Sequence, residues 1–151
     1  MASPAASEVY VIDASDRSHA VETLWSELGI PSLDGKAVAV KGNFNSDDPF
    51  PATTHPDMLE ALLSQVRDAG ARSIVLGERS GMGETARVLK NRGITDLAAR
   101  AGAEVTVLDA LPPDGWVAVP PDGLHWERGF LVARLFREAD AVVQTCCLKT
   151  H

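Results

Sequence analysis

Ala69-Gly70-Ala71-Arg72-Ser73-Ile74-Val75-Leu76-Gly77 compresses a helix exit, a tight turn and a buried strand into one short phrase. Glycine suits the left-handed position just past a helix, and a continuous apolar run suits a strand covered on both faces. Upstream, between Pro56 and Ala69, the residues Met58, Leu59, Leu62, Leu63 and Val66 recur at helical spacing and form one apolar face. The phrase returns as Ala101-Gly102-Ala103-Glu104-Val105, and again as Glu138-Ala139-Asp140-Ala141-Val142 with Asp140 at the turn. Helix, turn and buried strand in repetition are βαβ construction. The expected fold class is therefore α/β, with three layers, a mostly parallel sheet of about five to six strands and helices on both faces.

Working outward, β-rich runs fall at Val9–Ile12, Ala37–Val40, Ile74–Leu76, Val105–Leu108, Trp116–Val119 and Ala141–Val143. Helical spacing marks Val21, Leu24, Trp25 and Leu28, then Val88 and Leu89, Leu97 and Ala98, and finally Phe130, Leu131, Arg134 and Leu135. Leu28-Gly29 and Arg92-Gly93 add two more helix exits of the same type. Pro112-Pro113-Asp114-Gly115 and Pro120-Pro121-Asp122-Gly123 read as tight turns bracketing an edge strand on the margin of the sheet. No linker composition divides the chain, so residues 1–151 are expected to form one α/β domain, with residues 1–7 a flexible amino terminus.

Composition narrows the function classes. The chain has 151 residues, 45% of them apolar and 5% aromatic, so aliphatic side chains must fill the core. Fourteen basic against 21 acidic residues give a formal charge of −7, and no dense Lys/Arg stripe offers a grip on a phosphate backbone. No apolar run nears the ~18 residues of a membrane span. The amino end lacks the basic and apolar regions of a secretory signal. Cys146 and Cys147 are adjacent, which suits neither a disulfide framework nor a metal knuckle. A cytoplasmic domain that binds neither nucleic acid nor membrane is expected.

In open α/β sheets ligands collect beyond the carboxyl ends of the strands. The residues just past each strand are therefore informative. Lys41, Gly42 and Asn43 come after the second run, and Gln144, Thr145, Cys146, Cys147, Lys149 and His151 after the last. Lys41 alone would be an ordinary solvated lysine, but Gly42 would let backbone approach a ligand and Asn43 would orient it. Thr53-Thr54-His55-Pro56-Asp57 opens a helix, with Pro56 in the first turn and a threonine expected as cap. Free N–H groups, hydroxyls and an imidazole there would cradle an anion. The Gly77–Thr85 stretch resembles a phosphate loop but carries Glu84 where lysine belongs, so it reads as a rim loop with Ser80 or Glu84 near a helix start. The cysteines, taken singly, are small buried hydrophobes, and successive residues point oppositely, so at most one faces the site.

Val38-Ala39-Val40-Lys41-Gly42-Asn43, Thr53-Thr54-His55-Pro56, the glycine turn into Ile74-Val75-Leu76-Gly77, and Leu148-Lys149-Thr150-His151 together resemble the domain-of-unknown-function 362 family. Its counterparts read roughly Lys-Pro-Asn, Thr-Thr-His-Pro and Lys-Thr-His, with Gly42 here replacing the usual proline. The resemblance implies association with ferredoxin-like iron–sulfur segments, although this chain has no C-x-x-C-x-x-C run and its cofactor stays unknown. It also implies a domain that continues past the Lys-Thr-His motif, so the chain is expected to be incomplete at its carboxyl end. A more distant similarity is to the amino half of nickel-pincer lactate racemases.

The resulting expectation is a site for a small anionic ligand, metal- or redox-linked, at the carboxyl edge of the sheet. Lys41, His55, Lys149 and His151 are its catalytic candidates, Asn43, Thr53, Thr54 and Ser80 its ligand-binding candidates, and His55, Cys147 and His151 its metal candidates. The alternatives are a non-catalytic scaffold that docks an iron–sulfur partner or a downstream domain, or that completes itself as a homodimer, and a racemase-like enzyme with a nickel-pincer cofactor.

Overall fold

The structure, a computed structural model, describes residues 8–123 and 125–148. Four strands form a parallel sheet: β1 (Ala37–Lys41), β2 (Ser73–Glu78), β3 (Glu104–Val107) and β6 (Ala141–Gln144), in the order β3-β2-β1-β6. Helices α1 (Arg17–Glu27), α2 (Pro56–Asp68), α3 (Thr85–Asn91), α4 (Ile94–Arg100) and α5 (Arg134–Glu138) complete the layers. The fold is α/β, as the helix–glycine–strand phrases require.

Alternation along each strand divides the layers. Val38, Val40, Ile74 and Leu76 share a buried cluster with Leu59, Leu63 and Val66 of α2 and with Val88, Leu89, Leu97 and Ala98 of α3 and α4. Helix α1 packs on α2. On the opposite face lies the short α5, whose Leu135 and Phe136 press on Gly77. The handedness rule accounts for this division. The chain steps β1 to β2 to β3 in one direction, then returns past its start to β6. Right-handed crossovers consequently put α2, α3 and α4 on one face and the returning α5 on the other.

Local chemistry ends the helices where expected. Gly29, Gly70, Gly93 and Gly102 all have positive φ, between 56° and 92°. At Gly70 a side chain would also meet the Asp34 backbone at 3.0 Å, so that turn is tight as well as left-handed. Asp140 ties the last turn to the sheet, its carboxylate accepting from Ala37 N–H at 2.8 Å while its own N–H donates to Ala37 O at 2.9 Å.

Three expectations change. Val9–Ile12 is not a strand: it lies in irregular backbone, with Val9 83% and Val11 93% exposed. Phe130 and Leu131 belong not to the last helix but to β5 (Phe130–Ala133), and α5 begins only at Arg134. Finally, β4 (Trp116–Val119) is not on the margin of the main sheet, because it pairs antiparallel with β5 in a separate two-stranded ribbon. Four residues of apolar sequence do not specify a strand without a partner edge, and here the partner decides. The expected amino-terminal segment 1–7 lies outside the described residues.

Candidate functional site

Reversal of strand order between β1 and β6 creates a topological switch point, the place where an open α/β sheet leaves a crevice at its carboxyl edge. Lys41 ends β1 at that edge, and Thr145 comes after β6 beside it, its N–H donating to Lys41 O at 2.9 Å. The loop from Asn43 and the start of α2 close the third side. Thr54 N–H donates to Asn43 O at 2.9 Å, and Asn43 N–H donates to Thr54 Oγ1 at 3.0 Å. The hydroxyls of Thr54 and Thr145, both buried, meet at 3.1 Å. Three segments distant in sequence are thereby knotted at one point.

Beneath them lies Glu78, the last residue of β2, whose side chain is 1% exposed. One carboxylate oxygen accepts from Arg79 N–H at 2.8 Å and pairs with the Lys41 ammonium; the other accepts from Phe44 N–H at 3.1 Å. A buried carboxylate tolerates its environment only with partners of this kind. The Lys41 Nζ also donates to Gly42 O at 2.7 Å and keeps 29% of its side chain exposed. Lysine has three N–H donors, so these two contacts leave one uncommitted. Gly42 has a different role from the one expected. A Cβ there would stand 2.7 Å from the Phe44 ring and 3.2 Å from Glu78 Oε2, so its bareness accommodates Phe44 and the carboxylate rather than a ligand.

The α2 cap is a second correction. The cap residue is His55, whose Nδ1 accepts from Asp57 N–H at 3.2 Å. Neither threonine caps the helix, since Thr54 serves the Asn43 loop and Thr53 donates to Asp48 O at 2.9 Å. Nδ1 also lies 3.7 Å from the Asp57 carboxylate, so Nε2 is the ring nitrogen left uncommitted. The ring also packs edge-on against Phe50, centroids 5.4 Å apart, and Arg17 lies over that same Phe50 at 5.0 Å.

Ser80 is buried, its hydroxyl donating to Phe44 O at 2.6 Å, so it braces the Phe44 loop instead of facing a ligand. Glu84 caps α3 by accepting from Ala86 and Arg87 N–H, as the rim-loop reading expects. The Asn43 side-chain amide makes no hydrogen bond among the described residues. Cys146 is exposed and Cys147 partly exposed, both free thiols, against the expectation of burial. Lys149 and His151 lie outside the described residues, and with them the expected pairing of two lysines. Among the described residues no three His, Cys, Asp or Glu side chains converge as a metal site. Glu78 and Phe44 escaped sequence reasoning, and Thr145 was placed after the last strand but given no role. Period-two alternation carried a signal for the first, because Glu78 shares the inward face of Ile74 and Leu76.

These contacts set two expected outcomes. Thr54→Val keeps the shape but leaves the Asn43 N–H without a partner and the Thr145 hydroxyl with only its 3.4 Å contact to Lys41 O. A loss of about 1–2 kcal/mol in urea unfolding is expected, with Thr54→Ser close to the parent. Asp109, after β3, accepts from the Thr85 hydroxyl and from Arg79 Nε at 2.9 Å. The Thr85 hydrogen bond, helped by Arg79 and opposed by burial, holds the Asp109 carboxyl below its usual 3.8. A lowered carboxyl stabilises the fold above the unfolded value and loses that contribution as pH falls through the folded one. Asp109→Asn should therefore flatten the stability-against-pH curve on the acid side of about pH 4, read by thermal melts across a pH series.

The fold and these contacts define a doubly wound parallel α/β domain whose switch point gathers the polar ends of β1 and β6 and the start of α2. The chain belongs to the DUF362 family: the family model described as "Domain of unknown function (DUF362)" matches residues 38–151, from β1 through the end of the chain. No curated protein and no solved structure gives a significant match. No helix among the described residues is long and apolar enough to cross a membrane.

Proposed function

We propose that the chain binds a small carboxylate at the switch-point crevice, with Lys41 as its cationic contact and with Asn43 and Nε2 of His55 orienting it. The observation that carries this reading is the buried Glu78, which fixes Lys41 at the head of β1 with one N–H to spare. A lysine needed only for solubility has no use for a desolvated partner supplied by the neighbouring strand. The Asn43 amide, without a hydrogen bond among the described residues, is a further donor and acceptor for a ligand. Lys149 and His151, where the family resemblance places its Lys-Thr-His motif, would complete the site. A link to metal or redox chemistry would draw on His55, Cys147 and His151, in a reducing cytoplasm that keeps the thiols free.

Titration calorimetry with acetate, lactate, citrate and inorganic phosphate tests the reading. At least one carboxylate should bind with heat, and Asn43→Ala and Lys41→Met should each weaken it by about tenfold or more, on the order of 1.4 kcal/mol. Circular dichroism separates lost binding from lost fold. Absence of heat with every probe, or affinity unchanged in both variants, overturns it.

The scaffold reading has its own supporting observation. Glu78 already neutralises Lys41, which weakens the pull on an anion, while Cys146 and Cys147 stand accessible at the same rim. On that reading the rim docks an iron–sulfur protein, and added carboxylates leave the domain unaffected while a reduced ferredoxin-type protein binds it.

A further inference from the structure

Lys41 is one of two cations fixed in the same way along the carboxyl edge of the sheet. Each is held by an acid from the next strand. Glu78 of β2 pairs with Lys41 of β1, and Asp109, just past β3, accepts at 2.9 Å from Nε of Arg79, just past β2. The two pairs meet at one atom, since Glu78 Oε1 takes both the Lys41 ammonium and, at 2.8 Å, the Arg79 N–H. Two hydrogen bonds to a shared oxygen keep the ammonium within about 6 Å of the Arg79 backbone. Arg79 also stands two residues beyond Gly77, the register partner of Lys41, so the two side chains leave the edge from neighbouring strands ~4.8 Å apart.

An exposed ion pair is ordinarily worth little, because both side chains must be ordered to make it. Here the acid is ordered already. The other oxygen of Asp109 accepts from the hydroxyl of Thr85, a residue 1% exposed whose Oγ1 also accepts from Ser80 N–H at 2.9 Å. The guanidinium is thus tied through Asp109 to the buried layer, while the Arg79 side chain stays 68% exposed. Arginine has five N–H donors and Asp109 takes only Nε. The two Nη groups make no hydrogen bond among the described residues, and their planar fork matches a carboxylate. Lys41 likewise keeps one N–H uncommitted. Long cationic side chains fixed in advance have less rotamer freedom to lose when a ligand arrives.

We propose that the ligand of this edge is a dicarboxylate of four or five carbons, with one carboxylate on Lys41 and the other on the Nη groups of Arg79. The inference rests on the small-carboxylate reading above and adds to it a second charge and a second cation. With two or three methylenes between them, the carboxyl carbons of such a molecule lie about 4–5 Å apart, the same order as the spacing of β1 and β2. A monocarboxylate on Lys41 leaves the Arg79 fork unused.

Titration calorimetry of the intact chain with acetate, lactate, succinate and glutarate is the test, with circular dichroism as the control for fold. Succinate or glutarate should bind about tenfold or more tightly than acetate and lactate. Arg79→Gln should bring that ratio to about twofold or less, whereas Lys41→Met should weaken monocarboxylates and dicarboxylates together. Equal affinity for both classes overturns the inference and leaves the single-carboxylate reading standing. So does a tenfold preference that survives Arg79→Gln, because the second carboxylate would then be held elsewhere. Absence of heat with all four probes overturns both.

Discussion

Glu78→Ala is expected to lower unfolding stability by about 2–4 kcal/mol, the cost of leaving two backbone donors without their acceptor. The side chain is 1% exposed and holds three donors, the N–H groups of Phe44 and Arg79 and the ammonium of Lys41. Alanine removes all three acceptor contacts at once. The Phe44 N–H is then left buried without a partner, and the Lys41 side chain loses the contact that positions it. Lys41 itself can turn to solvent, since it is already 29% exposed, so the larger part of the cost falls on the two backbone groups. Glu78→Gln separates these contributions. Its amide oxygen can keep one backbone donor but no longer offers a charge to lysine, and about half the loss is expected. Urea unfolding monitored by tryptophan fluorescence gives the free energies. A loss below about 1 kcal/mol for Glu78→Ala would mean that water replaces the carboxylate, and that Lys41 is not fixed by it.

How much of this was legible in the sequence depends on the range of the interactions concerned. The turns at Gly70 and Gly102 could be read because a left-handed residue leaves a local mark, glycine, wherever it occurs. The buried strands Val38–Val40 and Ile74–Leu76 were visible because covering both faces makes them continuously apolar. Phe130–Ala133 was not, because Phe-Leu-Val-Ala-Arg-Leu-Phe satisfies helical and extended spacing equally. Only its pairing with Trp116–Val119, a contact across the intervening loop, resolves the ambiguity. Val9–Ile12 errs in the other direction, having strand composition but no strand partner among the described residues.

The gathering of the candidate-site segments at one sheet edge was legible in the sequence, and their hydrogen-bond wiring was not. The positions just past each strand, with the start of α2, marked out Lys41, Asn43, Thr54 and the segment after β6, and those residues do meet at the switch point. Which atoms serve which partners depends on strand order, and strand order is nonlocal. Lys41 reaches Glu78 only because β2 lies beside β1, and Thr54 reaches Thr145 only because β6 lies on the other side. The cap passed from threonine to His55 for a related reason. Thr54 is more valuable to the Asn43 loop, whose N–H is partly buried, than to a helix end that an imidazole can serve as well.

Phe44→Ala is expected to cost about 3–5 kcal/mol, as large-to-small changes of aromatic residues in close-packed cores do. Phe44 is 1% exposed and belongs to the main apolar cluster, although it sits in the loop after β1 rather than on a strand. Its backbone is what joins the core to the crevice: the N–H donates to Glu78 Oε2, and the carbonyl accepts from the Ser80 hydroxyl. Its ring occupies the space that Gly42 leaves open. Truncating the ring therefore does two things, opening a cavity under the sheet edge and releasing the loop that presents Lys41 and Asn43. Phe44→Leu refills most of the volume and keeps the loop anchored, so it should recover more than half the loss. The distinguishing readout is hydrogen exchange at the Phe44 and Arg79 amides. Both should speed up more than the amides of β3 in the alanine variant, because the defect is local to the Glu78 cradle. Uniform acceleration across the sheet would instead make Phe44 an ordinary core residue with no special hold on the crevice.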